Sequence, residues 1–167
     1  MPLILGVDPG SVKTGFGIID FQGGRSEYIT SGVIRLPRAP LPERLKIIHD
    51  SIGEIVALHC PAELAIEEVF LARDAKAAIK LGQARGAAIV ACVNADMPVF
   101  EYAARAIKQA VVGIGSAQKE QVQHMVKNLL KLPAAPAEDA ADALATALCH
   151  AHTQQMLIRR ARSRRNR

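Results

Sequence analysis

Four carboxylates carry the chemical signal of this chain. Asp8 follows the apolar run Leu5-Gly6-Val7, and Glu67 follows Leu64-Ala65-Ile66. A charge at the end of a buried run is costly unless it is paired or binds a metal. Two adjacent central strands would bring these acids together at one end of a sheet. Asp139 and Asp142 lie three residues apart in Glu-Asp-Ala-Ala-Asp-Ala. In a helix that spacing places both on one face, and the alanines would let the helix lie close against the sheet. Singly, each acid has a plainer explanation: a turn at Asp8-Pro9-Gly10, a helix N-terminus at Asp139, a solvated strand end at Glu67. Together they form an oxygen-only donor set, which suits Mg²⁺ or Mn²⁺ and not zinc. Four acids around a phosphate repel it unless divalent ions neutralise them. That is the layout of a two-metal site, in which one ion activates water and the other stabilises the leaving oxygen.

The elements that must hold these acids are legible in the apolar pattern. Leu3 to Val7 reads as a buried central strand ending in a turn. Thr14 to Asp20 and Ser26 to Leu36, joined by Gln22-Gly23-Gly24, complete a three-stranded antiparallel meander. Pro42 suits the first turn of a helix, and Leu45, Ile48, Ile52, Ile55 and Val56 recur at helical spacing up to about His59. After Pro61 comes the strand that ends in Glu67-Glu68. The spacing then predicts a long helix over 75–94, a short strand over 99–102 and a short helix over 103–111. Ser116 is the expected N-cap of a helix over 117–130. The last helix runs from Glu138 to about Gln154. Strands in a run of three, then strands alternating with helices, predict one α/β domain with a mixed sheet.

Composition excludes several function classes. The chain has 167 residues, 50% hydrophobic and 22% charged, which is ordinary for one globular domain. A domain this long buries roughly 70% of its unfolded surface and needs no disulfides. No apolar run approaches the ~18 residues of a membrane span. The N-terminal apolar stretch stops at Asp8 with no basic region before it, unlike a secretory signal. Cys60, Cys92 and Cys149 lack C-x-x-C spacing and read as small buried apolar residues in a reducing compartment. Charge is uneven. Six arginines fall between Leu157 and Arg167 with no acid among them; removing them from the 21 basic residues leaves 15 against 16 acidic ones. The basic balance thus belongs to a tail, expected to be disordered over 157–167, following a domain over 1–156. Such a tail points to nucleic acid or another acidic surface, or is only a solvated end.

Several motifs together resemble one family. Ile4-Leu-Gly-Val-Asp-Pro-Gly-Ser-Val-Lys-Thr-Gly-Phe-Gly, Ala65-Ile-Glu-Glu-Val-Phe70, Lys80-Leu-Gly-Gln-Ala-Arg-Gly86, Pro98-Val-Phe-Glu-Tyr-Ala-Ala104, Val112-Gly-Ile-Gly-Ser116 and Asp139-Ala-Ala-Asp-Ala143 are similar to those of the RuvC family of bacterial Holliday-junction resolvases. The resemblance covers about residues 3 to 152. It implies a ribonuclease H-like fold, with a mixed five-stranded sheet flanked by helices. It implies a Mg²⁺-dependent endodeoxyribonuclease of recombination and repair, with two ions per active site and Mn²⁺ able to substitute. It also implies a cytoplasmic homodimer that nicks two opposed strands of four-way junction DNA alongside the RuvA–RuvB branch-migration complex, with no membrane partner. Asp8, Glu67, Asp139 and Asp142 match the family's catalytic, metal-binding acids. Lys108 and Lys119 match lysines near the scissile phosphate. Phe70 matches an aromatic that contacts bases, although core packing would also explain it. Arg73, Lys76, Lys80 and Arg85 form either a phosphate track or a solvated helix face.

Gly82 and Gly86, four apart in the long helix, would let a partner helix approach, or would pack on the domain's own sheet. Asp74 departs from the family, which often has Asn there, and puts an extra acid near the DNA-facing loop. The arginine tail lies outside the shared region. Three rival classes remain. Asp8-Pro-Gly-Ser-Val-Lys-Thr-Gly also fits the phosphate loop of actin-like ATPases, which need two domains where this chain offers one. A related nuclease acting on RNA–DNA hybrids or other branched nucleic acid would share fold and metal site. A non-catalytic nucleic-acid binder would have no use for four converging acids.

Overall fold

The computed structural model describes residues 2–69 and 74–165. Strands β1 (Leu3–Asp8), β2 (Lys13–Gln22) and β3 (Arg25–Arg35) form the antiparallel meander. Strand β4 (Glu63–Glu67) pairs parallel to β1, and β5 (Val99–Tyr102) pairs parallel to β4, giving the order β3-β2-β1-β4-β5. The two acid-bearing strands are therefore central neighbours, with Val7 opposite Ile66 and the acids one position further on.

The five helices among the described residues divide between the two faces. Helices α1 (Leu41–His59) and α2 (Ala75–Val93) cover a core of large aliphatic side chains that includes Leu5, Val7, Ile18, Ile48, Ile52 and Ile66. Helices α3 (Ala104–Val112), α4 (Lys119–Leu129) and α5 (Glu138–Arg165) cover the other face, where α5 contributes Ala145, Ala147 and Ala151 alongside Leu144 and Leu148. Period-2 alternation puts Gly6 and Asp8 of β1 on that second face, with Ala65 and Glu67 of β4. Small residues there let α5 lie directly on the sheet. A Cβ at Gly6 would stand 2.0 Å from the Ala143 carbonyl oxygen, and one at Gly15 2.0 Å from that of Asp139.

Four details depart from the sequence expectations. Helix α5 does not stop near Gln154 but is helical through Arg165, and so includes residues 157–165 of the basic tail. No glycine or proline interrupts that stretch, and arginines in the last turn complement the helix dipole. Helix α4 begins at Lys119, not Ala117. The Ala117 amide donates to the Ile114 carbonyl, which ties Ser116 into a turn. The Gln121 side chain instead accepts from the Gln118 amide at 2.7 Å and caps the helix. Cys92 and Cys149 are buried as expected, but Cys60 is exposed. It caps the C-terminus of α1 in a left-handed conformation (φ 49°), just before Pro61.

Candidate active site

The sheet end where β1 and β4 finish is where the acids meet. Asp8 closes β1 opposite Gly15 of β2, and Glu67 closes β4 opposite Tyr102 of β5. The missing Cβ of Gly15 lets the first turn of α5 settle beside Asp8, and Asp142 follows one turn later. Asp8, Glu67 and Asp142 line a cleft of about 250 Å³ whose far wall carries Lys108 of α3 and Lys119 of α4. Asp139 is near but turned aside: its carboxylate meets the Lys13 ammonium at 2.7 Å. The structure thus brings three of the four acids, and both lysines, into one cleft. A larger groove of about 820 Å³ lies between the β2–β3 hairpin and the α4–α5 connection, but of the four acids it holds none.

Electrostatics mark the cleft as short of positive charge. Burial pushes the Asp8 carboxyl up from 3.8 to about 8, and Asp142, Glu67 and Asp139 add to the shift against a partial offset from Lys119. Asp142 is pushed up to about 6, again chiefly by burial. Glu67 is raised by burial and by Asp142, while Lys108 and Lys119 pull it back. Lys119 is itself held above its usual value, first by its hydrogen bond to Glu138. A group of acids that takes up protons when left alone is one where a divalent cation can take the protons' place. Among the described residues, no three His, Cys, Asp or Glu side chains are placed to hold an ion by themselves. The donor set fits a hard divalent ion; it is not a closed cage.

The remaining sequence candidates are scattered. Lys76 and Lys80 are exposed, one turn apart on α2. Arg85 is no free phosphate ligand. Its Nε donates to the Glu67 carbonyl at 2.9 Å and its guanidinium pairs with Glu101 at 3.1 Å, so it braces the end of β4. Asp74 is the N-cap of α2 and accepts from the amides of Lys76 and Ala77. Phe70 and Arg73 lie outside the described residues. Lys13 and Glu138 are site-adjacent residues that the sequence pattern did not single out. Lys13 stands inside the Asp8-to-Gly17 motif, and only the pairing with Asp139 gives it meaning.

Comparison with known proteins decides the lineage. The family profile described as "RuvC: Crossover junction endodeoxyribonuclease RuvC" matches residues 4–150. This chain belongs to the RuvC family. Its relatives include the crossover junction endodeoxyribonucleases RuvC of Teredinibacter turnerae, 63% identical over 100% of this chain and 97% of that one, and of Tolumonas auensis, 62% identical over 96% and 93%. Thermus thermophilus RuvC in complex with Holliday junction substrate is 36% identical, with a TM-score of 0.87 over 93% of this chain and 96% of that one. The yeast mitochondrial resolvase Ydc2, 9% identical with a TM-score of 0.66 over 93% of this chain and 82% of that one, shares the fold. The RuvC assignment carries with it a metal-dependent nuclease built on a single domain with a five-stranded mixed sheet. Among the described residues, no helix is long and apolar enough to cross a membrane.

Proposed function

We propose that this RuvC-family nuclease resolves four-way DNA junctions by paired nicks. The observation that carries the reading is the cleft that half-buried Asp8, Glu67 and Asp142 line together with Lys108 and Lys119 at the end of the sheet. The acids Asp8, Glu67, Asp139 and Asp142 hold two Mg²⁺ ions, or Mn²⁺ in their place. Bound there, the ions supply water activation and charge stabilisation at the leaving oxygen. The chain's own residues do the rest. Lys108 and Lys119 oppose phosphate charge from the far wall. Lys13 pairs with the Asp139 carboxylate beside the cleft. Arg85 fixes the Glu67 backbone. Phe70 contacts bases, as the family resemblance implies, by stacking on an unpaired one; the basic side chains of Arg73, Lys76 and Lys80 track the phosphates.

A junction has two opposed strands to cut, so the reading includes a homodimer. Helix α2 supports it: Ile79, Val90 and Val93 are exposed at 64%, 51% and 51%. Gly82 and Gly86 share that stripe, and a Cβ at either would meet nothing within 4 Å. The glycines therefore do not serve packing on the chain's own sheet. A C₂ pair would bury this one patch against itself. The arginines of residues 157–167 add sequence-independent phosphate contact; deleting them should flatten the salt dependence of binding by up to ~0.9 per lost contact while junction preference survives. The enzyme works in the cytoplasm alongside the RuvA–RuvB branch-migration complex.

The test is a labelled synthetic four-way junction with the nicks mapped on every strand. Mg²⁺ and Mn²⁺ should give symmetric nicks in opposed strands. Ca²⁺, larger and taking 6–8 ligands, should support binding with little cleavage. Brisk cleavage in Ca²⁺ or EDTA, or equal cleavage of an RNA–DNA hybrid, would overturn the reading.

A further inference from the structure

One fully buried titratable side chain has no part in the cleft. His150 of α5 is 0% exposed, yet both of its ring nitrogens are partnered. Nε2 lies 2.7 Å from a carboxylate oxygen of Glu63, the first residue of β4. Nδ1 lies 2.6 Å from the hydroxyl of Tyr102, the last residue of β5. The Phe100 ring covers the imidazole with centroids 4.4 Å apart. One neutral tautomer satisfies the whole chain: Tyr102 donates to Nδ1, and Nε2–H donates to Glu63.

The placement of these partners matters. Glu63 begins the strand that ends in Glu67, four residues or about 13 Å away. His150 follows Asp142 by eight residues, about 12 Å along α5. Tyr102 is the register partner of Glu67. The hydrogen-bonded trio therefore joins the two elements that carry Glu67 and Asp142: Glu63 and His150 stand at nearly equal distances behind those acids, and Tyr102 stands level with Glu67. Elsewhere α5 meets the sheet through close glycine and alanine contacts and through the apolar side chains of Leu144 and Leu148. Those contacts are non-directional, whereas the hydrogen bonds of His150 tie one position of the helix to one position of the strand. Sliding by one turn would carry Asp142 about 5.4 Å, and a misplacement of about 1 Å can cost a hundredfold in rate.

We propose that His150, with Glu63 and Tyr102, is a positioning residue for the nuclease reaction, locking the axial register of α5 against β4 and so the separation of Asp142 from Glu67. The proposal rests on the carboxylate site proposed above. It is distinct from a general contribution to folding, because the trio sets a distance between two acids.

Tyr102→Phe removes one hydroxyl and keeps the ring; His150→Gln removes the ring. Each is compared with Ile48→Val, a core change on the opposite face that reports loss of stability alone, and with Asp142→Asn. Single-turnover cleavage at saturating junction, junction affinity in EDTA, the Mg²⁺ concentration for half-maximal rate and thermal unfolding are read on the same preparations. Tyr102→Phe should stay folded and bind junction within about twofold of wild type. Its single-turnover rate should fall about tenfold with a raised Mg²⁺ requirement, and Ile48→Val should show neither change. His150→Gln, where it folds, should show the larger effect. Wild-type rate and Mg²⁺ requirement in Tyr102→Phe would overturn the proposal, as would a rate loss that merely follows unfolded protein. Normal cleavage by Asp142→Asn would instead overturn the site on which it rests.

Discussion

The two faces of the sheet solve different problems with different residues. Under α1 and α2, Leu5, Val7, Ile18, Leu64 and Ile66 interdigitate with Ile48 and Ile52, filling a conventional core. Under α5 the strands offer Gly6, Gly15, Gly17 and Ala65 beside Ile4, Ile19 and Phe21, and the helix answers with Ala143 and Asp139 backbone at Gly6 and Gly15, and with Leu144 over Gly17. The first face gains stability from apolar area. The second gives up some of that area for nearness, bringing a helix backbone against a strand backbone so that short aspartates can reach a strand-end acid. Stability and chemistry are thus assigned to opposite sides of one sheet.

The strongest way to break this comparison is to restore a side chain on the thin face. Gly6→Val drives Cβ into the Ala143 carbonyl and Cβ at 2.0 Å has no room to relax against backbone. It should yield little folded protein in circular dichroism and thermal melts; a normal melt would show that α5 is not held as described. Next comes Asp142→Asn. It keeps size and fold but removes one charge from the cleft, and should lower cleavage about a thousandfold, roughly 4 kcal/mol of transition-state stabilisation. Junction affinity in EDTA should be equal or tighter, because the cluster repels phosphate. Cleavage near wild type would remove Asp142 from the site.

A smaller effect is expected from Asp8 without metal. Its folded carboxyl titrates near 8 rather than 3.8. Between those values the folded protein holds a proton that the unfolded chain releases, so stability falls as pH rises. In EDTA, the wild-type melting temperature should drop from pH 5 to pH 8 more steeply than that of Asp8→Asn. Parallel curves would refute it. The smallest effect belongs to the thick face. Ile48→Val should cost about 0.5–1.5 kcal/mol of stability in urea unfolding and leave the cleavage rate per folded molecule unchanged. A rate change would mean that the two faces are not separable.

Much of this was readable in advance where the signal is local. Apolar runs ending in Asp8 and Glu67 gave two strand ends, and the i,i+3 pair of aspartates gave a helix face. What was hidden depends on contacts between distant segments. Asp139 belongs in the sequence pattern with the other acids, yet Lys13 draws it aside, and no spacing rule pairs residues 13 and 139. Arg85 reads as one more basic residue on a helix until its guanidinium is found on the Glu67 carbonyl. Thr14 to Asp20 reads as a strand with or without a purpose for Gly15 and Gly17, because the helix that occupies the space of their missing side chains lies over a hundred residues later. The end of α5 was misplaced for a different reason. From Met156 onward every described side chain is exposed, so the apolar periodicity stops while the helix, sustained by propensity alone, continues.

Helix α5 also points its N-terminus at the cleft. The unsatisfied amides of that end carry roughly half a positive charge, which works against any cation that enters. The acids attract an ion and the helix end opposes it. On the two-ion reading proposed above, a phosphate adds negative charge that favours the ion, and by thermodynamic reciprocity whatever factor the DNA adds to ion affinity the ion adds to DNA affinity. Substrate and metal would then load as a linked pair.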